Sequence, residues 1–330
     1  MLDERKASIL RAVVEEYIQT AQPVGSGHVV DAPGVSVSSA TVRNEMAALE
    51  TDGYLAQPHT SAGRIPTQKG YRYFVDALSQ PVLDRSSAQQ VRAFFDRTHG
   101  EIEQMLADTT RLLSGLTDYA AVVVGPGREV AVVRSVQVVL LAPRVVLFVA
   151  VLGNGSIEKV TVESPVDLDE ATVGAVLRHL DQHLVGQPLA AVAAVPAAPR
   201  GPVEDLVALV RTVAVAESDE EQVFVGGTAR MAGAFDAVET IRSVLTILEE
   251  QLVVVSLLRD VVDRGLTVAI GSETGMQPLA ECSLVVAPYV VDDEHVGTVG
   301  VLGPTRMNYP QALAAVAVVG QRLGRRLSEG

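Results

Sequence analysis

The sequence predicts an α+β protein, with a helix-turn-helix and wing at its N-terminus and then an α/β domain interrupted by a mostly helical insertion. Three observations predict this. Residues 3–67 read as helix, short helix, helix and two short extended segments, the order of a winged helix-turn-helix. Val-rich runs with strand character fill 121–162 and return at 266–302, with a helical period between them. A last helix opens at Pro310, a residue suited to the first helical turn.

The composition sets limits. A chain of 330 residues, 48% of them hydrophobic, can fill two or three cores. The net charge of −14 argues against a general nucleic-acid coat. Residues 1–80 hold 7 Lys+Arg and 9 Asp+Glu (−2), which leaves 19 and 31 (−12) for the rest. A nearly neutral N-terminal unit should bind DNA weakly by itself and depend on pairing two heads on one site. The single cysteine, Cys282, has no internal disulfide partner. The charged start MLDERKASIL lacks a signal-peptide core, and the apolar runs 136–142 and 145–152 are too short to span a bilayer. The expectation is a soluble protein of the reducing cytoplasm.

Asp3 and Glu4 suit the first turn of a helix running to about Thr20, with Leu10, Val13, Val14 and Tyr17 as its buried stripe. Ala21-Gln22-Pro23 ends it. Ser26 can cap a short second helix through His28, Val29 and Val30, and Pro33-Gly34 is a turn signal. Residues 35–67, VSVSSATVRNEMAALETDGYLAQPHTSAGRIPT, carry the functional reading. Ser38 and Ser39 are the hydroxyls expected before a helix. Val42, Met46 and Leu49 fall on one face and should be buried, while Ser39, Thr41, Arg43 and Asn44 lie opposite, near the helix N-terminus. Arg can bind guanine O6 and N7 with two bonds, and Asn can do the same for adenine N6 and N7. Gly53 stops the helix. Residues 54–58 and 64–67 then flank a tip, His59-Thr60-Ser61-Ala62-Gly63, and Pro58 and Pro66 fit only edge positions. Arg64 follows a glycine that lets a backbone come close, so it is a candidate for a phosphate or a minor groove. The expected DNA-contacting set is Ser38, Ser39, Thr41, Arg43, Asn44, His59, Thr60, Ser61 and Arg64. The plain alternative is an ordinary amphipathic helix followed by a small hairpin.

Thr67 can cap the next helix, whose Tyr71, Phe74, Val75 and Leu78 read as core rather than base-stacking groups. Residues 80–87 suggest a linker. Val91, Phe95, Thr98, Ile102, Met105, Thr109, Leu112 and Leu116 then follow heptad spacing. Gly100 and the two threonines favour a docked helix pair over a free coiled coil. Strand signals follow at 121–124, 130–139, 145–152 and 157–162, with Asn154-Gly155 as a hairpin turn. Residues 167–234 are mostly helical, with a break at 195–202, a helix at 203–213 and a strand candidate at 222–225. Val238, Ile241, Leu245, Leu248 and Leu252 make one more helical stripe before strands at 266–270, 283–291 and 295–302.

Catalytic and metal constellations are missing. His179 and His183 lie four apart, but Leu180 stands where a zincin glutamate would be. Gly125-Pro126-Gly127 and the run at 300–306 lack the spacing of phosphate loops. Gly271-Ser272-Glu273-Thr274-Gly275 is not a nucleophile elbow, because the serine directly follows the first glycine. Glu220-Glu221 and Asp292-Asp293 read as solvated loop charges. No enzyme activity, cofactor or metal is expected.

The segments LDERKASILRAVVEEYIQTAQPVGSGHVV, SSATVRNEMAALETDGYL and QPHTSAGRIPTQKGYRYFVD resemble the N-terminal domain of the HrcA family of bacterial heat-inducible transcription repressors. The match runs nearly without gaps over 2–76, and VGVLGPTRMNYPQALAAV at 299–316 resembles the same family farther on. The resemblance implies a winged helix, a GAF-like domain and an inserted dimerisation domain. On this chain that gives a DNA-binding domain at 1–80 and a helical docking segment at 81–118. The GAF-like halves fall at 119–165 and 236–330, and the insert at 166–235. It also implies repression of groE- and dnaK-type chaperone operons by a homodimer on an inverted-repeat operator of the CIRCE kind. Activity would be sustained by the GroE chaperonin and lost on heat stress. The alternative is a regulator that senses a small molecule in the GAF-like domain.

Overall fold

The computed structural model describes residues 2–59, 63–79, 82–97, 102–125, 131–153, 157–199, 201–218, 222–233, 235, 238–265, 267–291 and 294–328. Thr60 and Ser61 of the tip, Gln80-Pro81, Thr98, Gly100, Pro126-Gly127, the Asn154-Gly155 turn signal, Glu220-Glu221 and Asp292-Asp293 lie outside the described residues.

Helix α1 (Glu4–Thr20) starts on Asp3, whose carboxylate accepts from the Lys6 N–H at 2.8 Å. Helix α2 (Ser26–Val30) is preceded by Gly25 at the cap position. Ser26, expected to cap it, instead places its hydroxyl 3.2 Å from that of Ser39. Helix α3 (Ser39–Thr51) ends before Gly53, which takes φ 78°, a conformation that favours glycine. Strands β1 (Leu55–Ala56) and β2 (Ile65–Pro66) pair antiparallel, with Leu55 opposite Pro66. Val24 extends this ribbon, exchanging both backbone bonds with Arg64 at 2.9 Å. Helix α4 (Gln68–Asp76) starts on Thr67, whose hydroxyl accepts from the Gly70 N–H and donates to the Gly53 carbonyl. Ile9, Leu10, Val13, Val14, Val42, Met46, Leu49, Leu55, Tyr71 and Phe74 are buried together.

Helices α5 (Arg85–Arg97) and α6 (Ile102–Thr117) carry the heptad-like stripe, and Val91, Phe95, Met105, Leu112 and Leu116 are buried. Thr109 is buried too, because its hydroxyl donates to the Met105 carbonyl at 2.7 Å and needs no outside partner. Then come β3 (Ala120–Val124), β4 (Val133–Ala142), β5 (Val145–Leu152), β6 (Ile157–Glu163), α7 (Glu170–Leu184), a 3-10 turn (Leu189–Ala194) and α8 (Pro202–Ser218). The chain continues through β7 (Val223–Gly226), α9 (Thr228–Ala232), α10 (Val238–Glu249), α11 (Gln251–Asp263), β8 (Val268–Ile270), β9 (Cys282–Val291), β10 (Glu294–Pro304) and α12 (Tyr309–Ser328).

The five-stranded sheet runs β7-β3-β10-β9-β8, with every neighbouring pair antiparallel. Alternation along β3 sends Ala121 and Val123 toward a core shared with α5, α6 and α12. Ala120, Val122 and Val124 go to the opposite core, under α10 and α11. Both faces are therefore covered, which explains the unbroken apolar runs of β3 and β9. The stripe expected to be one helix through Leu252 is two. Glu250 leaves helical backbone at φ −92° and ψ 88°, and Leu252 is 75% exposed.

The strands group differently from the expected division. β4, β5 and β6 form a separate antiparallel sheet, and its Val136, Phe148, Ala150 and Val160 share a core with Val176 and Leu180 of α7 and Val207 of α8. β7, expected inside the insert, pairs with β3 in the larger sheet. A Val-rich strand carries no label for the sheet it will join, so pattern alone put β4–β6 with β3. The fold is a mixed helix-and-sheet structure, as expected. Among the described residues, no helix is long and apolar enough to cross a membrane.

Candidate nucleic-acid interface

Helix α3 presents a sharply divided surface. Val42, Met46 and Leu49 are at most 1% exposed, while Ala40, Arg43, Asn44, Ala47 and Thr51 are exposed on the far side. At 100° per residue these five fall within one arc that continues from the helix N-terminus to its last turn. Ala40 and Ala47 were not singled out from sequence, although they share the spacing of Arg43 and Asn44. Small side chains there let a helix come close to a groove floor, and alanine can meet a thymine methyl.

The expected residues divide into two groups. Arg43 and Asn44 are exposed, and neither side chain has a hydrogen bond or ion pair among the described residues. The other hydroxyls are partly spent within the protein. Ser38 caps α3, accepting from the Thr41 N–H at 3.2 Å, and its Oγ lies 3.0 Å from Thr41 Oγ1. Thr41 itself is half-buried, on the flank of the exposed arc. Ser39 is exposed but leans on Ser26. His59 is exposed at the base of the tip.

Arg64 departs from expectation. Its Nε donates to Glu50 Oε2 at 3.0 Å, and its side chain is only 16% exposed. The close approach permitted by Gly63 is also internal. A Cβ there would collide with the Val24 carbonyl, so the glycine serves the Val24–Arg64 bridge. Arg64 therefore ties the ribbon to the end of α3. Sequence spacing could not reveal this, because Glu50 and Arg64 meet only once the chain turns through 52–63.

The remaining head cations are mostly engaged. Arg5 pairs with Glu45, Lys6 with Asp52, and Arg72 with Asp76 and Glu273. Lys69 donates to the Asp52 carbonyl and stacks over the Tyr54 ring at 4.3 Å. Among the described residues, Arg11 and Arg43 are the head cations left without such a partner, and Arg43 alone stands on the exposed arc of α3.

Elsewhere, His179 Nε2 lies 2.8 Å from the Pro196 carbonyl and His183 Nδ1 lies 2.7 Å from the His179 carbonyl, so both rings sit against backbone oxygen. Cys282 is fully buried, and burial followed by the Glu281 charge pushes its thiol up to about 12. A cavity of about 280 Å³ opens between α11 and β10, lined by Val124, Leu258, Val262, Arg259 and His295.

The family model of the HrcA protein C terminal domain matches residues 103–313. A relative named Heat-inducible transcription repressor HrcA, from Streptomyces avermitilis, is 38% identical over 340 aligned positions and covers 100% of each chain. Its namesake from Arthrobacter sp. is 41% identical and covers 99% of each. That from Nocardia farcinica is 39% identical, covering 99% of this chain and 97% of its own. A crystal structure of a hypothetical protein at 2.2 Å is similar in fold, with a TM-score of 0.72 at 23% identity. The match covers 100% of this chain and 99% of that one.

Proposed function

This chain belongs to the HrcA family of heat-inducible transcription repressors, regulators rather than enzymes, and on that premise we propose that it holds down chaperone operons of the groE and dnaK type. Residues 1–80 act as a winged helix-turn-helix, with α3 as the helix that enters the major groove and β1–β2 as the wing. The observation that carries this reading is the exposed, unpaired Arg43–Asn44 pair on the outer arc of α3, above the buried Val42, Met46 and Leu49. Arg43 and Asn44 read bases. Ser39, Thr41, His59, Thr60 and Ser61 supply hydroxyl and ring contacts to the backbone, and Ser38 and Arg64 hold helix and wing in place.

The repressor works in the cytoplasm as a homodimer on an inverted-repeat operator of the CIRCE kind, protein symmetry mirroring DNA symmetry. A dimer face is available on the outer side of the β4–β5–β6 sheet. Leu147 stands there between Val139 and Thr161, with Val145, Val149, Val151 and Ile157 around it. Val139, Leu141 and Ile157 are 44%, 56% and 43% exposed, so apolar side chains stand open on this sheet. The inserted dimerisation domain then spans β4 to α8, and the GAF-like domain is the five-stranded sheet with its covering helices. Heat inactivates the repressor and the GroE chaperonin restores it, so unfolded protein that occupies the chaperonin relieves repression.

The test is a gel-shift titration of the full-length protein against an inverted-repeat chaperone promoter, with a scrambled duplex at the same salt. Equal affinity for both duplexes would end the operator reading. A second reading, a ligand-responsive regulator, draws on the cavity beside α11. Thermal stabilisation by a small molecule, with a matching change in operator affinity, would favour it.

A further inference from the structure

The head rests on the body chiefly through α4, which lies against the three-residue strand β8. Tyr71 and Phe74 join the head's apolar core to that of the body, and apolar contact is non-directional, so directional bonds are needed to set the angle. Gln68, Arg72 and Asp76 recur every four residues and share one face of α4. The Gln68 amide donates to the Ala280 carbonyl at 3.3 Å, and its oxygen accepts from the Ser272 N–H at 3.2 Å and the Ser272 hydroxyl at 2.8 Å. Arg72 Nε donates to Glu273 Oε1 at 2.9 Å, while Nη2 donates to the other Glu273 oxygen and to the Val268 carbonyl. Such a two-pronged guanidinium–carboxylate pair fixes orientation as well as distance.

The body side is built in advance. Glu273 also accepts from the Ile270 N–H at 2.9 Å, and Arg264 donates to the Glu273 carbonyl at 2.8 Å. Gly271 turns the chain there at φ 53°, where a side chain would collide with the Gln68 amide. Beside this strip the buried Tyr71 ring meets Tyr309 at 5.8 Å, and among the described residues the Tyr71 hydroxyl has no hydrogen-bond partner. That ring contact buries apolar area without fixing direction and leaves one hydroxyl unpaired, so the polar strip selects the docked angle.

We propose that Gln68 and Arg72 are positioning residues that set the angle of the head on the body and, through it, the half-site spacing the dimer accepts. The spacing part rests on the operator reading above. The angle part does not. Two heads held rigidly reach two half-sites only at one separation and one helical phase. Heads freed from the seam would swing and tolerate others.

The experiment uses the full-length protein, wild type and Gln68→Ala/Arg72→Ala, with Arg72→Lys as a milder variant that keeps charge but loses the planar fork. Spin labels at Glu15→Cys and Gln321→Cys, both exposed positions, diluted with unlabelled protein, report the head–body distance, and binding is measured with unlabelled protein on operators with native and altered spacers. The wild type should give a narrow distance distribution and lose about 100-fold in affinity when about 5 bp are inserted, because only one head can then engage. The double-alanine variant should give a broad distribution and a spacer penalty of about threefold or less, and Arg72→Lys values between it and the wild type, each with single half-site affinity unchanged. A narrow distribution in the double-alanine variant overturns the proposal. A broad one with the wild-type spacer penalty overturns its spacing part. If the wild type does not prefer the inverted repeat over a scrambled duplex, the operator reading fails, and the distances alone decide whether these residues set the head angle.

Discussion

Arg43 and Arg64 are both arginines of the head, and each looked suited to DNA in the linear sequence. Their surroundings separate them. Arg43 projects from α3 with no partner among the described residues, whereas Arg64 is folded against Glu50 and mostly covered. Replacing Arg43 by alanine should therefore weaken operator binding by about 1–3 kcal/mol and relax preference at one base position. Titration against single-base operator variants at constant salt checks this, and an unchanged profile would mean that α3 is turned the other way. Gly63 offers a test of the head's own architecture. Gly63→Ala drives a methyl into the Val24 carbonyl and should destabilise the head by about 1–3 kcal/mol, read as a lower unfolding midpoint.

Single elements decide where these residues point. On the inserted sheet, β5 alternates an inner row, Val146, Phe148, Ala150 and Leu152, with an outer row of Val145, Leu147, Val149 and Val151. Period-two patterning makes every β5 side chain apolar only if both faces are to be covered, and here the outer one is open. Leu147→Asp places a charge at the centre of that face and should turn the proposed dimer into a monomer by sedimentation, while leaving the inner core intact. At the head–body seam, burial raises the Glu273 carboxyl, but hydrogen bonds from Arg72 and Ile270 and the charges of Arg72 and Arg264 outweigh it, so its pKa is lowered. A depressed carboxylate contributes stability above the unfolded value, about 4.3, and loses it as pH falls through the folded one. Asp76 also faces Arg72, 3.4 Å from its Nη1. Head–body docking should thus hold at neutral pH and loosen as pH falls from the unfolded value through the lowered folded one. Glu273→Gln should dock more weakly at neutral pH and respond less to acid, as followed by hydrogen exchange across α4.

At the scale of the whole chain, the large sheet is assembled from distant pieces. Ala121 pairs with Val301 on one side and Gly226 on the other, so β3 waits for strands made long after it. Contacts so far apart in sequence slow folding and expose apolar intermediates, which is a physical reason for a chaperonin to matter. After mild heating, operator-binding activity should fall and should recover further with the GroE chaperonin than without it. Equal recovery would remove the feedback. The charge of −14 acts at this scale as well, since it opposes nonspecific DNA binding and favours the proposed pairing of two heads on one site.

Local chemistry was legible in the sequence alone. Caps at Ser38 and Thr67, the buried stripe Val42–Met46–Leu49, the prolines of the ribbon and the Val-rich strands each follow from hydrogen-bonding and burial rules spanning a few residues, while Asp3, expected in the first turn, proved to be the cap before it. Resemblance over long segments supplied the family, and with it the proposed biology. What only the tertiary structure decided were the long-range partnerships: β4–β6 turning away from β3, Glu50 claiming Arg64, Val24 joining the ribbon, and Arg72 reaching a carboxylate 201 residues away. Periodicity states that a residue is covered or charged. Which distant group covers it or neutralises it depends on how the chain returns, and no local rule contains that information.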